Sequence, residues 1–317
     1  MAIPANTYMI NYYPRINAGY PMWQNYNPSQ YQADMSQASA LGFNVVRCFV
    51  AATSGAFDFP SPTTQELANL TDFCQRVVNA GMKLRLCLFD WWTKYGYVAG
   101  AETWLTAIAG AVTQSVLHSV ELQNETAFAS SSSYTQGTDS GWSGGAPATI
   151  GSAATGWAQA LIPAIRTAFP GIPLTLSCTN GTADIAAAYS ALHAGTPPDW
   201  YEWHCYGWSG QVQHELEAVS AAISGAPLLV GETGVDSSSV GQLTQQRYVE
   251  EVRRSCANLG LAEPAPWCLF DLQSSAQFAS AQGFGLLDNS GTPKALAAHY
   301  VAVPPGSGLP VLNTRIM

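Results

Sequence analysis

Short apolar runs recur along the chain with longer amphipathic stretches between them. The runs are Tyr8 to Tyr13, Asn44 to Val50, Lys83 to Phe89, Leu117 to Gln123, Leu174 to Cys178, Trp200 to Tyr206, Pro227 to Val230 and Pro266 to Phe270. Each is strand-sized and apolar on both faces, as in parallel strands covered by helices. The stretches between them predict helices over Ser29 to Leu41, Thr64 to Ala80, Glu102 to Gln114, Ala153 to Phe169, Ala183 to His193, Gln213 to Ser224 and Gly241 to Leu259, with Pro293 to Tyr300 closing the series. In the second of these, Leu67, Leu70, Phe73, Cys74, Val77 and Val78 recur at the spacing of one buried helical face. Small turns such as Leu41-Gly42-Phe43, Ala80-Gly81-Met82 and Phe169-Pro170-Gly171 hand a helix over to the next strand, with glycine as the left-handed cap.

Strict alternation of strand and helix is met most economically by an α/β fold of the (β/α)8 TIM-barrel type, a single domain over residues 1–302 with a tail at 303–317. The alternative is a doubly wound open sheet. That fold usually carries a glycine-rich phosphate turn after its first strand, and Tyr13-Pro14-Arg15-Ile16 has none. The longest irregular segment, Thr126 to Gly151, follows the fourth strand, holds Tyr134 and Trp142, and is expected to roof part of a site.

Composition narrows the classes. A chain of 317 residues with 47% hydrophobic and 10% charged residues is neither disordered nor a disulfide-stapled miniprotein. Its net charge of −9 and the lack of any Lys or Arg run argue against nucleic acid or an anionic membrane as partner. No apolar stretch approaches the ~20 residues that span a bilayer. The seven cysteines form no C-x-x-C pair, and most lie in apolar runs, where a thiol behaves as a small hydrophobe. Met1 to Asn6 does not read as a secretory leader. Abundant Ser, Thr, Gly and Ala with little Lys leans toward export of a mature chain, whereas unpaired cysteines lean toward a reducing compartment.

In a barrel the chemistry stands at the carboxyl ends of the strands. There the sequence places Arg47 after strand two, Asp90-Trp91-Trp92 after strand three, Asn124-Glu125 after strand four, His204-Cys205-Tyr206 after strand six, Glu232 after strand seven and Trp267 after strand eight. Two glutamates facing each other across a ring suit glycosidic bond cleavage, which needs one proton donor and one carboxylate to hold or attack an oxocarbenium ion. Arg47 and Tyr206 can orient one carboxylate, His204 and Asn124 can bind sugar hydroxyls, and Trp267 offers a flat face to a pyranose ring. Six tryptophans, Trp23, Trp91, Trp92, Trp142, Trp208 and Trp267, fall in loops expected on that face, which points to a cleft for an oligo- or polysaccharide. Two rivals remain: a metal-dependent barrel hydrolase using His118, His204, Asp90 and Asp271, and a carbohydrate-binding barrel without turnover. No H-x-H or H-E-x-x-H spacing supports the first, and His118 starts its strand rather than ending it.

Taken together, Arg47, Asn124-Glu125, His204-x-Tyr206, Glu232 and Trp267 resemble the retaining glycoside hydrolases of clan A, most of all the cellulase and mannanase family, glycoside hydrolase family 5. The similarity runs over about residues 7 to 302 and includes Gly283-Phe284-Gly285-Leu286-Leu287-Asp288 near its end. The resemblance implies that Glu125 is the general acid/base, Glu232 the nucleophile and Asn124 the partner of the sugar 2-hydroxyl. Substrate contacts are expected from Arg47, Asp90, Trp91, Asn124, His204, Tyr206 and Trp267, with no metal and no cofactor. Two positions depart from the family pattern. Asp90-Trp91-Trp92 stands where a histidine is usual, and Thr126 follows the acid/base where proline is common.

Overall fold

The computed structural model describes residues 1–90, 92, 95–125, 152–179, 193, 195–206, 209–274 and 282–307. Seven strands pair in chain order, all parallel: β1 (Met9–Asn11), β2 (Val45–Phe49), β3 (Lys83–Cys87), β4 (Leu117–Glu121), β5 (Leu174–Thr179), β6 (Trp200–Cys205) and β7 (Leu228–Thr233). The eighth expected strand, Pro266 to Phe270, forms no continuous ladder. Instead it bridges the two ends of the sheet: Trp267 N–H donates to Thr233 O at 2.8 Å, and Leu269 N–H donates to Asn11 O at 3.0 Å. The peptide between Trp267 and Cys268 is cis. The result is a nearly closed TIM barrel whose eighth side is a hydrogen-bonded segment.

Helices cover the outside: α1 (Pro21–Gln24), α2 (Pro28–Ala40), α3 (Thr64–Asn79), α4 (Val98–Ala111), α5 (Ser152–Ala168), α6 (Val212–Ala222), α7 (Ser237–Val240), α8 (Gln242–Asn258) and α9 (Ala295–Ala302). In α3 a capping box between Thr63 and Glu66 satisfies the first N–H groups, and Leu70, Phe73, Cys74 and Val77 pack inward. Val78, expected on the same face, is 47% exposed, because that face is narrower than the apolar pattern implies. The helix expected over Glu102 to Gln114 starts earlier, at Val98, and stops at Ala111, where Val112 turns extended. Gly42, Gly81 and Gly171 all adopt the left-handed φ that the sequence assigned to them. The helix expected over Ala183 to His193 lies outside the described residues except for His193.

The barrel interior is layered. Its floor is a separate apolar cluster of Met9, Val45, Trp200, Leu229 and Ala265. Two residues further along four of those strands, at the next inward position, stand Asn11, Arg47, Glu202 and Gly231. The interior therefore turns from apolar to charged within one pleat. Gly231 is required there, since a methyl group at this position would run into the Glu202 carboxylate. All seven cysteines are buried and in no disulfide, as expected of small apolar side chains.

Outside the barrel, Asp34 on α2 is fully buried and accepts a 2.9 Å hydrogen bond from the Tyr12 hydroxyl. Burial pushes its carboxyl up to about 6, against the pull of that bond and of Arg15. Because the folded pKa is raised, the contribution of Asp34 to native stability falls as pH rises from ~4 through 6. Asp34→Asn is expected to gain up to about 3 kcal/mol over the wild type at pH 8 and nothing at pH 4. Urea unfolding at the two pH values checks this.

Candidate active site

The mouth of the barrel is organised by Arg47, which β2 aims inward and which is fully buried. Its Nε and one terminal nitrogen donate to the two oxygens of Glu121 at 2.8 and 3.1 Å, a bidentate pair. The other terminal nitrogen donates to Asn11 Oδ1 at 2.8 Å and to Glu232 Oε1. Asn124 Oδ1 accepts a fifth bond at 2.7 Å. Phe49 closes the underside, its ring centroid 4.5 Å from the guanidinium carbon. Burial alone would raise Glu121, but Arg47 and Arg85 outweigh it and hold its carboxyl at about 2.

Glu232 is on β7. The register between β6 and β7 slips by one residue after Trp203, so that Glu232 pairs with His204 instead of pointing away from it. Its Oε1 takes the Arg47 bond and its Oε2 accepts from the Tyr206 hydroxyl at 2.8 Å. Burial, with Glu232 and Glu125 nearby, raises the Tyr206 phenol well above its usual range, so it stays a donor. Asn124 has its oxygen held by Arg47, which leaves its amide NH2 as a donor.

Glu125 ends the turn after β4 with φ +47°, a left-handed conformation that costs a non-glycine residue of order 1–3 kcal/mol. Ser177 of β5 holds it there. The Glu125 N–H donates to Ser177 Oγ at 2.7 Å, and that hydroxyl donates to Gln123 O at 3.2 Å. One oxygen of Glu125, one of Glu232 and a ring nitrogen of His204 all lie within 4.8 Å of one another.

His204 is fully buried and has both ring nitrogens engaged: Nδ1 lies 2.9 Å from Glu125 Oε1, and Nε2 lies 3.3 Å from Glu202 Oε1. It connects carboxylates rather than facing the opening, where a sugar hydroxyl was expected to meet it. Asp90 is buried too, accepting from Tyr13 OH at 3.0 Å, with its carboxyl raised well above the usual range by burial. Trp267 is partly exposed and braced edge-on by Tyr13 and Phe49.

The aromatic cleft read from sequence needs correction. Trp23 is buried, donates to Phe49 O and packs on Phe57 and Phe73, while Trp92 is buried against Phe59 and Phe89. Trp91, Trp142 and Trp208, and the expected roof over Thr126 to Gly151 with Tyr134, lie outside the described residues. Among the described tryptophans of that set, only Trp267 offers a face.

The four residues of the metal reading do not converge. His118 hydrogen-bonds Thr7 and Ser119 near the barrel floor, its pKa pushed down to about 4 by burial and by Arg85 and Lys83. Asp271 is paired with Lys294 at 2.7 Å. Among the described residues two other sets bring metal-capable atoms together, Glu121 with Glu202 and His204, and Glu125 with His204 and Glu232. Arg47 and Arg85 are ion-paired with Glu121, Glu202 and Glu232, so a cation would sit against two guanidiniums.

Sequence reasoning missed the layer below the mouth: Asn11, Arg85, Glu121, Ser177 and Glu202. A signal was present, since Leu84-Arg85-Leu86, Val120-Glu121-Leu122 and Tyr201-Glu202-Trp203 each put a charge inside an apolar strand. Such charges on strands buried on both faces must find one another.

No family model matches the sequence, and a search of curated proteins returns no match. Solved structures do match. A GH5_18 structure from Streptomyces cattleya in complex with Manb1-4GlcNAc superposes with a TM-score of 0.72 at 17% identity, covering 94% of this chain and 80% of that one. GH5_18 from Bifidobacterium longum subsp. longum gives 0.73 at 17% identity over 96% of this chain and 81% of that one. The exo-beta-1,4-mannosidase Op5Man5 from Opitutaceae bacterium strain TAV5 gives 0.70 at 19% identity, over 95% of this chain and 61% of that one. The chain therefore has the barrel fold of these glycoside hydrolase structures, at low sequence identity to them.

Proposed function

We propose that the protein is a retaining glycoside hydrolase that cleaves β-glycosidic bonds in an oligo- or polysaccharide of the β-glucan or β-mannan type. The observation that carries this reading is the closeness of Glu125 and Glu232, whose nearest oxygens lie within 4.8 Å across the mouth. Retaining enzymes hold their two carboxyl groups ~5–5.5 Å apart, whereas inverting ones leave ~6.5–9.5 Å for a water. The surroundings separate the two roles. Glu232 has both oxygens fixed by donors, Arg47 and Tyr206, which favours an ionised and oriented nucleophile. Glu125 is more exposed and, among the described residues, meets a ring nitrogen rather than a guanidinium, which favours a proton donor.

In the first step Glu232 attacks the anomeric carbon while Glu125 protonates the departing oxygen, leaving a glycosyl ester on Glu232. In the second, Glu125 takes a proton from water, which attacks the same carbon and releases Glu232. In this scheme the Asn124 amide holds the 2-hydroxyl and Trp267 supports the ring. A bound Manb1-4GlcNAc and an exo-mannosidase among the structural neighbours favour short β-mannosides over long chains. So does the burial of Trp23 and Trp92, which removes two expected platforms.

The test is the stereochemistry of the first-formed product, read by proton NMR on β-linked manno- and gluco-oligosaccharides and aryl β-glycosides. Retention is expected. Inversion would overturn the mechanism, and no turnover of any substrate alongside measurable binding would favour the carbohydrate-binding barrel.

A further inference from the structure

Glu202 has no part in the two-step scheme, yet it is buried beneath it. It stands two residues before His204 on the inward face of β6, ion-paired with Arg85 of β3 and 3.9 Å from Arg47 Nε. Its Oε1 is 3.3 Å from His204 Nε2. A carboxylate held by a guanidinium can only accept, so the hydrogen between the two groups belongs to Nε2. A neutral imidazole carries one N–H. With that hydrogen on Nε2, Nδ1 is left with a lone pair, and its 2.9 Å contact with Glu125 Oε1 is made by a proton that Glu125 brings.

We infer that Glu202 is a positioning residue that fixes His204 as the Nε2–H tautomer and thereby keeps the catalytic proton on Glu125 in the resting protein. The inference rests on the assignment of Glu125 as the acid and explains how that acid is loaded. The charges around His204 agree with it. Arg47 of β2 and Arg85 of β3 face Glu121 of β4, Glu202 of β6 and Glu232 of β7, and Glu232 Oε1 is 3.5 Å from Nδ1. Two cations against three carboxylates leave one excess negative charge, which favours retaining a proton in the His204–Glu125 pair.

The first experiment is imidazole 15N NMR of the whole protein, with His204 identified among the five histidines. A protonated Nε2 and an unprotonated Nδ1 are expected from pH 5 to 8. The second is Glu202→Gln, whose amide can donate to Nε2 and release the ring to the other tautomer. The expected loss in kcat is about 10- to 100-fold on an unactivated disaccharide and less than about 3-fold on a dinitrophenyl glycoside. Removing the negative charge also lowers the proton affinity of the pair, so the alkaline limb of kcat/KM shifts to lower pH. A purely structural role would depress both substrates equally and move no limb, which overturns the inference. A wild-type ring protonated on Nδ1, or on both nitrogens, also overturns it, and that spectrum decides the matter even if the variant fails to fold. Neither result touches the glycosidase reading, which falls only if no glycoside is turned over.

Discussion

Glu232→Ala is expected to lower hydrolysis by roughly 10^5-fold on every substrate, whatever the leaving group, because no covalent intermediate can then form. The side chain is small and its removal leaves a space between Arg47 and Tyr206, two donors that bind an anion as readily as they bind a carboxylate. Azide should enter that space, attack the anomeric carbon as the glycosidic C–O bond breaks, and give the azido sugar of opposite anomeric configuration, with Glu125 still protonating the leaving oxygen. Glu125→Ala should behave differently. General acid catalysis is worth ~10^2–10^4-fold where the leaving oxygen needs a proton, and little where it does not. Disaccharides should suffer that full loss, while aryl glycosides with good leaving groups keep their glycosylation rate. Steady-state kinetics of both variants on the two substrate kinds, with and without azide, decide the assignment. Equal loss for both variants on all substrates would reverse it.

The barrel was legible because strand and helix alternate along the chain with periods that differ, and because apolar residues fill both faces of every run. Its boundaries were less so. β7 was expected to end at Val230 and instead continues through Gly231 and Glu232 to Thr233, since polar residues facing the interior keep the ladder hydrogen bonds of apolar ones. The eighth strand read as a run of apolar residues, but its backbone is shared between β7, β1 and Leu287, so pairing is broken into single bridges. At the mouth, Arg47, Asn124, Glu125, His204, Tyr206 and Glu232 are joined by contacts from strand to strand. What the pattern could not show is which of them face a ligand and which face one another. His204 and Asp90 look alike in sequence to Asn124 and Glu125, yet the first pair is enclosed by partners from other strands. That depends on long-range register, including the slip between β6 and β7, and no local spacing encodes it.

Arg47→Leu is expected to cost about 3–5 kcal/mol of stability, a large share of what a domain of this kind has. Leucine fills much of the volume, but among the described cations it leaves Glu121 with Arg85, at 3.5 Å, and leaves Glu232 without Arg47, above an apolar cluster at the barrel floor. Arg47→Lys keeps the charge. It cannot keep the geometry, because Glu121, Asn11, Glu232 and Asn124 are reached from three nitrogens spread over a plane, whereas lysine has one. That variant should therefore fold and lose activity through a misoriented Glu232, separating the two contributions of the arginine. The pH dependence follows from Glu121. Its carboxyl is depressed to about 2 in the native state, so its ion pair contributes fully above the unfolded value of ~4.5 and is lost as pH falls from there toward 2, amounting to roughly 3 kcal/mol. In Arg47→Leu the depression weakens, and with it the slope of stability against pH in that window. Urea unfolding from pH 2 to 4.5 should show the wild type gaining stability with pH and the leucine variant gaining less; parallel curves would mean that Arg47 is not what holds Glu121 ionised.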